Sequence, residues 1–229
     1  MVQHGDTPYL VRGVQDDYRK LYFSDPVAAR KVPISIQAGY GLLKSGTALA
    51  LNKSAAGNIG KLVPYNPTTF TGAEDHPGRA YLVANTGTTD KFVYVSMDDS
   101  YKFAVGDDVI LNDDTTSAEN KGAITAIDRT TYPHMAMITF TAAIGGTAFT
   151  TARKAYICVE AGDNTNNYSD CVGILEKSVQ TGVGVNSQGA LATLILGNAL
   201  LYEGMLTNLD SAAKTDIGAS SWGQYLEIP

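Results

Sequence analysis

Between residues 79 and 160 the chain repeats one local pattern: short runs of β-branched and aromatic residues, divided by Gly, Asp and Asn. The runs are Ala80–Val83, Phe92–Val95, Val109–Leu111, Ala123–Ile127, Met135–Phe140, and Phe149 with Ala155–Val159. Phe92–Val95 is expected to end at Asp98 and Asp99, Val105-Gly106-Asp107-Asp108 forms a turn, and Asn112–Asn120 forms a polar hairpin region. No helical pattern alternates with these strands, which argues against a doubly wound parallel sheet. Several short strands at regular spacing predict a small barrel or sandwich.

The flanking stretches read the same way. Ile34–Ile36, Tyr40–Lys44, Thr47–Leu51 and Lys61–Val63 are candidate strands, with Ala48 and Ala50 facing opposite Leu49 and Leu51. Pro64, Pro67 and Pro77 make residues 64–78 a loop, and residues 161–170 are a second. Cys171–Leu175 and Leu191–Leu196 are strands, joined through a turn around Gly182 and Gly184. Asn198–Leu209 reads as a short helix or a bent strand. The tail, with Trp222, Tyr225, Leu226 and Ile228, is expected to dock rather than to hang free. Composition agrees: only 17% of residues are charged and 23 are Gly, which suits strands and tight turns rather than amphipathic helices.

Charge excludes some partners. Residues 1–61 hold eight Lys/Arg against four Asp, and the remaining 168 carry a net −10, giving −6 for the chain. An acidic bulk argues against nucleic-acid binding, which needs a dense basic footprint. The mildly basic N-terminal part could meet an acidic protein surface, or could be an ordinary solvated charge distribution. The longest smooth apolar stretch, Ala190–Leu201, is broken by Gly197 and Asn198, so no membrane span is expected. No basic-then-apolar leader is evident, so no signal peptide is expected.

Residues that carry chemistry are few. His4, His76 and His134 lack metal-ligand spacing and read as surface or half-buried side chains. Asp98-Asp99, Asp107-Asp108 and Asp113-Asp114 do not match a Ca²⁺ loop and read as solvated turn carboxylates, with a weak divalent site as the alternative. Gly39-Tyr40-Gly41 and Gly182-Val183-Gly184 complete no nucleotide fingerprint. Cys158 and Cys171 read as small buried hydrophobes, a disulfide between them being the alternative. The residues therefore predict a non-enzymatic protein with no cofactor, no metal and no catalytic site.

Residues 1–33 are unlike the rest. Tyr9, Arg12, Tyr18, Arg19, Lys20, Tyr22, Phe23, Arg30 and Lys31 interleave aromatic rings with cations, and Pro8, Pro26 and Pro33 prevent one regular element. A short helix over Asp16–Phe23 is compatible with the pattern. Aromatics and Arg are the side chains enriched at protein interfaces. The segment reads as an arm that orders against a partner, or as one that wraps its own domain.

Two stretches carry a resemblance. Val32–Pro67 contains GYGLLKSGTALALN followed by GNIGKLVPYNP, and Cys171–Asn208 is CVGILEKSVQTGVGVNSQGALATLILGNALLYEGMLTN. Together they resemble the lambda-type head decoration proteins of tailed bacteriophages, in which a Gly-initiated strand, a short Gly-Lys…Pro-Tyr strand, a Gly-Ile-Leu element with an acidic or polar turn and a valine-rich strand ending in Gly follow in order. Gly46–Leu49, Gly60-Lys61 with Pro64-Tyr65, Gly173-Ile174-Leu175 and Leu191–Gly197 match them. The match covers about a third of the chain, and residues 73–163 intervene where family members have a short loop.

The resemblance implies a mainly β fold: a β-tulip or small-barrel-like decoration core with an inserted β-barrel or β-sandwich domain and an extended N-terminal arm. The expected division is an arm over 1–33, a first half of the core over 34–72, the inserted domain over 73–163, and the second half with the C-terminal tail over 164–229. It further implies a capsid decoration (cement) protein that stabilises the assembled shell. Such a protein would be made in the host cytoplasm and placed on the outer surface of the virion. Its partners would be the major capsid protein, through the nine arm residues named above, and itself as a dimer or trimer, with neither nucleic acid nor membrane. The alternative is another virion structural protein, a head fibre, tail or baseplate component binding host protein or glycan. A β-rich glycan hydrolase is the third reading and needs two carboxylates facing a cleft.

Overall fold

The computed structural model describes residues 21–22, 27–52, 60–67, 76–113, 119–146, 148–161, 170–185, 187–219 and 226–227. Among the described residues the fold is mainly β, with 42% strand and 11% helix. Five strands close a small barrel in the order β1 (Arg30–Ile36), β13 (Ala190–Gly197), β11 (Cys171–Leu175), β3 (Ala48–Leu51) and β4 (Leu62–Pro64). Ile36 pairs parallel with Leu62 to complete the ring. Closure removes the exposed edges that an open sheet would present.

The barrel core gathers Ile36, Leu49, Leu62, Ile174, Leu175, Leu194 and Ile195, all buried. Full burial of one such side chain stabilises by about 1.5–3 kcal/mol. Ala48 and Ala50 alternate with Leu49 along this strand as expected, yet all three are at 0% exposure. Both faces of β3 are covered, so small Ala on one side and Leu on the other are equally sheltered. Gly46 enters this strand with φ +88, and a Cβ there would overlap the carbonyl oxygen of Met205. Only glycine allows that close passage.

Residues 80–159 build a second sheet. Its order is β5 (Ala80–Tyr81), β10 (Tyr156–Val159), β7 (Asp108–Asn112), β8 (Glu119–Asp128), β9 (Met135–Phe140) and β6 (Phe92–Ser96). A bridge between Leu82 and Val95 joins the two ends, so this sheet is nearly closed. Here alternation is clean: Val93 and Val95 on β6, and Ala136, Ile138 and Phe140 on β9, point inward between exposed or half-buried neighbours. β10 is buried on both faces. Ile157 and Val159 enter the inner core, while Tyr156 and Cys158 pack with Ile110 and Tyr81 on the opposite face. That second cluster lies toward the barrel, where the Arg79 guanidinium stacks 4.0 Å from the Tyr156 ring centre and its Nε donates to Asn66 Oδ1 at 2.8 Å.

Shorter elements differ from the sequence reading. The Asp98-Asp99 turn is a one-turn helix, α1 (Met97–Ser100), because Ser96 Oγ accepts from Asp99 N at 3.1 Å and donates to its carboxylate at 2.8 Å. Asn198–Leu209 is neither one helix nor one strand but β14 (Ala199–Leu200) followed by a 3₁₀ turn over Glu203–Met205. Asn198 breaks the run with φ 52. Within the tail, α2 (Ser211–Ala219) buries Ala213 and Ile217 in the barrel cluster, and β15 (Leu226–Glu227) pairs with β14. Trp222, Tyr225 and Ile228 lie outside the described residues. β2 (Leu42–Leu43) pairs with β12 (Val179–Gln180) beside the barrel.

Of the arm expected over 1–33, only residues 21–22 and 27–33 are described. β1 starts at Arg30, so the boundary placed after residue 33 falls inside a barrel strand. The alternation of Val32, Ile34 and Ile36 extends back from Ile34 because Pro33 faces Thr193 of β13 without breaking the register.

Candidate functional site

Two polar clusters stand out, one where the chain enters the barrel and one between the barrel and the second sheet. The first is centred on Glu176, which follows β11. Its backbone is fixed: its N–H donates to Thr193 O at 2.9 Å, and its carbonyl accepts from Ser45 Oγ at 2.7 Å. The carboxylate is thereby aimed at β1. It accepts from Lys31 Nζ at 2.5 Å and from Tyr22 OH at 3.3 Å, and Lys31 lies 5.3 Å from the Tyr22 ring centre. Glu176 is 5% exposed and Tyr22 7%. Burial, and then the charge of Glu176, push the Tyr22 phenol well above its ordinary pKa. The Tyr22–Leu201 bridge and a bond from Tyr202 N to Leu21 O at 3.0 Å add a backbone attachment. The segment before β1 is therefore tied to the barrel wall at a defined point.

Of the nine residues singled out in the arm, Tyr22, Arg30 and Lys31 fall within this region. Tyr9, Arg12, Tyr18, Arg19, Lys20 and Phe23 lie outside the described residues. Tyr22 is part of the barrel core, Lys31 is engaged with Glu176, and Arg30 is exposed at the start of β1.

The second cluster is the seam between the two sheets. Asp107, fully buried, accepts from Ala104 N at 2.8 Å, Gln37 Nε2 at 3.2 Å and Asn52 Nδ2 at 3.2 Å. Gln37 also donates to Lys102 O at 2.7 Å and accepts from Asn52 at 3.0 Å. A buried carboxylate is tolerable only when such donors replace its hydration shell. Gly39, at φ +96, lets the barrel loop lie directly on the Tyr101 carbonyl, which a Cβ would overlap. Asp107 comes from the second sheet and both amides from the barrel, so the network holds the two in register.

This overturns the reading of Asp107 and Asp113 as solvated turn carboxylates, since Asp113 is only 7% exposed. The turn is real, but Asp107 N donates to Ala104 O, and the side chain folds back over the same turn into the seam. His76 is likewise not at the surface. It is 3% exposed, with Nδ1 accepting from Gly78 N at 3.3 Å. Burial, and after it the positive charges of Arg79 and Lys102, lower its pKa to about 3. His134 is exposed, as expected, and His4 lies outside the described residues.

Asp210 and Asp216 hold α2 on the barrel. Asp210 Oδ1 accepts from Ala213 N at 2.8 Å and from Tyr65 OH at 3.0 Å, and Asp216 Oδ2 accepts from Cys171 N at 3.0 Å. Cys171 and Cys158 are both free thiols, buried in different clusters, and burial raises each to about 12. The disulfide alternative is thus set aside, and neither thiol has the lowered pKa of a nucleophile.

A groove of about 400 Å³ opens at the seam, lined by Gln37, Lys61, Tyr101, Phe103, Ser187 and Gln188 among others, with no carboxylate in its lining. Among the described residues no group of three or more His, Cys, Asp or Glu could hold a metal ion, and no helix is long and apolar enough to cross a membrane. Sequence reasoning missed Glu176, Gln37 and Asn52. Their one available signal was a polar side chain at the edge of an apolar strand, which many solvated residues share. No protein-family model, no curated protein and no solved structure matches this chain.

Proposed function

We propose that the chain is a decoration (cement) protein of a tailed-bacteriophage head, binding the outer surface of the assembled major capsid shell and stabilising it without turnover. One observation carries this reading. The four sequence pieces of the resemblance, up to about 150 residues apart, lie on or immediately beside β3, β4, β11 and β13 of a single closed barrel. An ordered motif set that folds into adjacent strands is what a shared core would require, whereas chance matches need not meet.

In this reading the barrel is the decoration core and the sheet of residues 80–159 is its embellishment. The segment before β1 is the capsid-binding arm, anchored by Tyr22, Lys31 and Glu176. The mechanism is linkage: a ligand that binds the assembled shell but not free subunits stabilises each site by RT ln(1 + [L]/Kd), about 2.7 kcal/mol at a hundredfold excess over Kd. A seam held by the Asp107, Gln37 and Asn52 hydrogen bonds suits a protein that must transmit load between its two sheets. The alternative, a head-fibre, tail or baseplate protein, finds its best support in the strip of Phe92, Tyr94 and Tyr132. These rings stand edge to face at 5.5 and 5.4 Å on the outer side of β6.

The test is to mix purified protein with undecorated heads, sediment them, image the pellet by cryo-electron microscopy and compare melting at matched salt. Added density outside the shell with a raised melting temperature is expected. Failure to co-sediment refutes the reading, and binding without stabilisation shifts the weight to the host-surface alternative.

A further inference from the structure

The groove at the seam is built by four separate segments. Residues 37–38 after β1, Lys61 before β4 and residues 187–189 before β13 line it from the barrel. Tyr101, Phe103 and Ala104, which follow α1, line it from the second sheet. Its volume of about 400 Å³ lies within the range of small-molecule pockets, which form preferentially where two units meet.

Each wall is tied to the fold by its own bonds. Arg129 donates from Nε to Ser100 Oγ at 2.8 Å and from Nη2 to Ser100 O at 2.7 Å, and its guanidinium lies 4.6 Å from the Tyr101 ring centre. Gln37 is buried, with Nε2 donating to Lys102 O at 2.7 Å. Beside it, Gln37 N donates to Leu62 O and Asn52 N to Lys61 O, both at 2.9 Å. On the β13 side, Ser187 N donates to Gly184 O and Gly182 N to Gln188 O, both at 3.0 Å. Gly189 packs so closely that a Cβ there would lie 2.3 Å from Ile36 O. Walls held in this way need little ordering when a ligand enters.

We infer that this groove binds a small organic anion, a flat apolar body carrying a carboxylate or a phosphate group. Charge and lining chemistry select that class. Among the described residues that line the groove, Lys61 is the one charged side chain. The chain as a whole carries −6, so a small anion is repelled from much of the surface and accepted where a cation stands without a carboxylate beside it. The same lining has no oxygen anion to offer a divalent cation. Tyr101 and Phe103 supply aromatic surface for the apolar body, and Ser187 and Gln188 supply neutral hydrogen-bonding groups beside the ammonium. The volume is at the lower end of the pocket range, which suits a molecule of one or two rings rather than a peptide or a dinucleotide. Such a ligand would touch both sheets at once and so hold them together. The inference stands on the groove alone and does not depend on the proposed capsid role.

NMR titration of the isotope-labelled full chain tests it, with benzoate, phenyl phosphate and neutral benzyl alcohol as probes. Both anions should shift the amides of residues 37–38, 61, 101–104 and 187–189 saturably, and benzyl alcohol should bind at least about tenfold more weakly, because it lacks the charge-assisted bond to Lys61. The anion that binds more tightly identifies the acidic group. High salt should weaken both anions and leave the alcohol unchanged. Lys61→Met should weaken the anions about tenfold without affecting the alcohol. Gln188→Glu, an isosteric change at an exposed position, brings a carboxylate into the lining and should weaken the anions at least as much; it decides the matter if Lys61→Met fails to fold. Lys91→Met, at an exposed lysine beside β6, should change nothing. No saturable shift at these residues, equal binding of alcohol and anions, or an anion affinity indifferent to both groove substitutions overturns the inference.

Discussion

The buried imidazole of His76 should set a large part of the acid sensitivity of the fold. In the native state its pKa is about 3, against 6.5 for the unfolded chain, because burial and then Arg79 and Lys102 disfavour the imidazolium. The depressed group is a base, so the unfolded state binds the proton first. Stability is unaffected well above pH 6.5 and is lost as pH falls from 6.5 toward 3, at up to 1.36 kcal/mol per pH unit. Between pH 7 and pH 5 the loss is about 2 kcal/mol, and it approaches twice that near pH 3. His76→Asn keeps an acceptor within reach of Gly78 N but cannot titrate. Urea unfolding of both proteins at pH 7, 6 and 5 isolates the effect, since every other ionisable group is common to the pair. The wild type should lose about 2 kcal/mol relative to the variant over that range. A difference that does not change with pH would show that His76 is protonated or solvated in the native state, and the burial argument would fail.

Two further outcomes follow from the buried groups. Asp107→Asn should lower stability by about 2–4 kcal/mol and speed amide exchange at residues 37–40 and 101–104, because the Gln37 and Asn52 amides lose their charged acceptor; unchanged exchange would mean that the seam is held by packing alone. Cys158 and Cys171, buried and raised to about 12, should resist iodoacetamide in the native protein and react fully in denaturant; one fast native thiol would contradict their placement.

The sequence by itself determined the mainly β class and the positions of most strands, because those are local properties. Alternation along Phe92–Val95 and Met135–Phe140 directly encodes which face is buried. It did not determine the fate of Ala48–Ala50 or Tyr156–Val159, where burial on both faces erases the period-2 signal. Nor did it mark the buried polar groups. Asp107, His76 and Glu176 sit in turns or strand ends whose composition is that of any solvated loop. What buries them is a second segment remote in sequence: Gln37 and Asn52 for Asp107, and Tyr22 and Lys31 for Glu176. The closure of five strands into one barrel, with β1 beginning at Arg30 rather than after residue 33, was likewise decided only by pairing across the chain. Local composition sets where a strand can form, but which strand covers it, and therefore which charge is desolvated, depends on contacts that no short window of sequence contains.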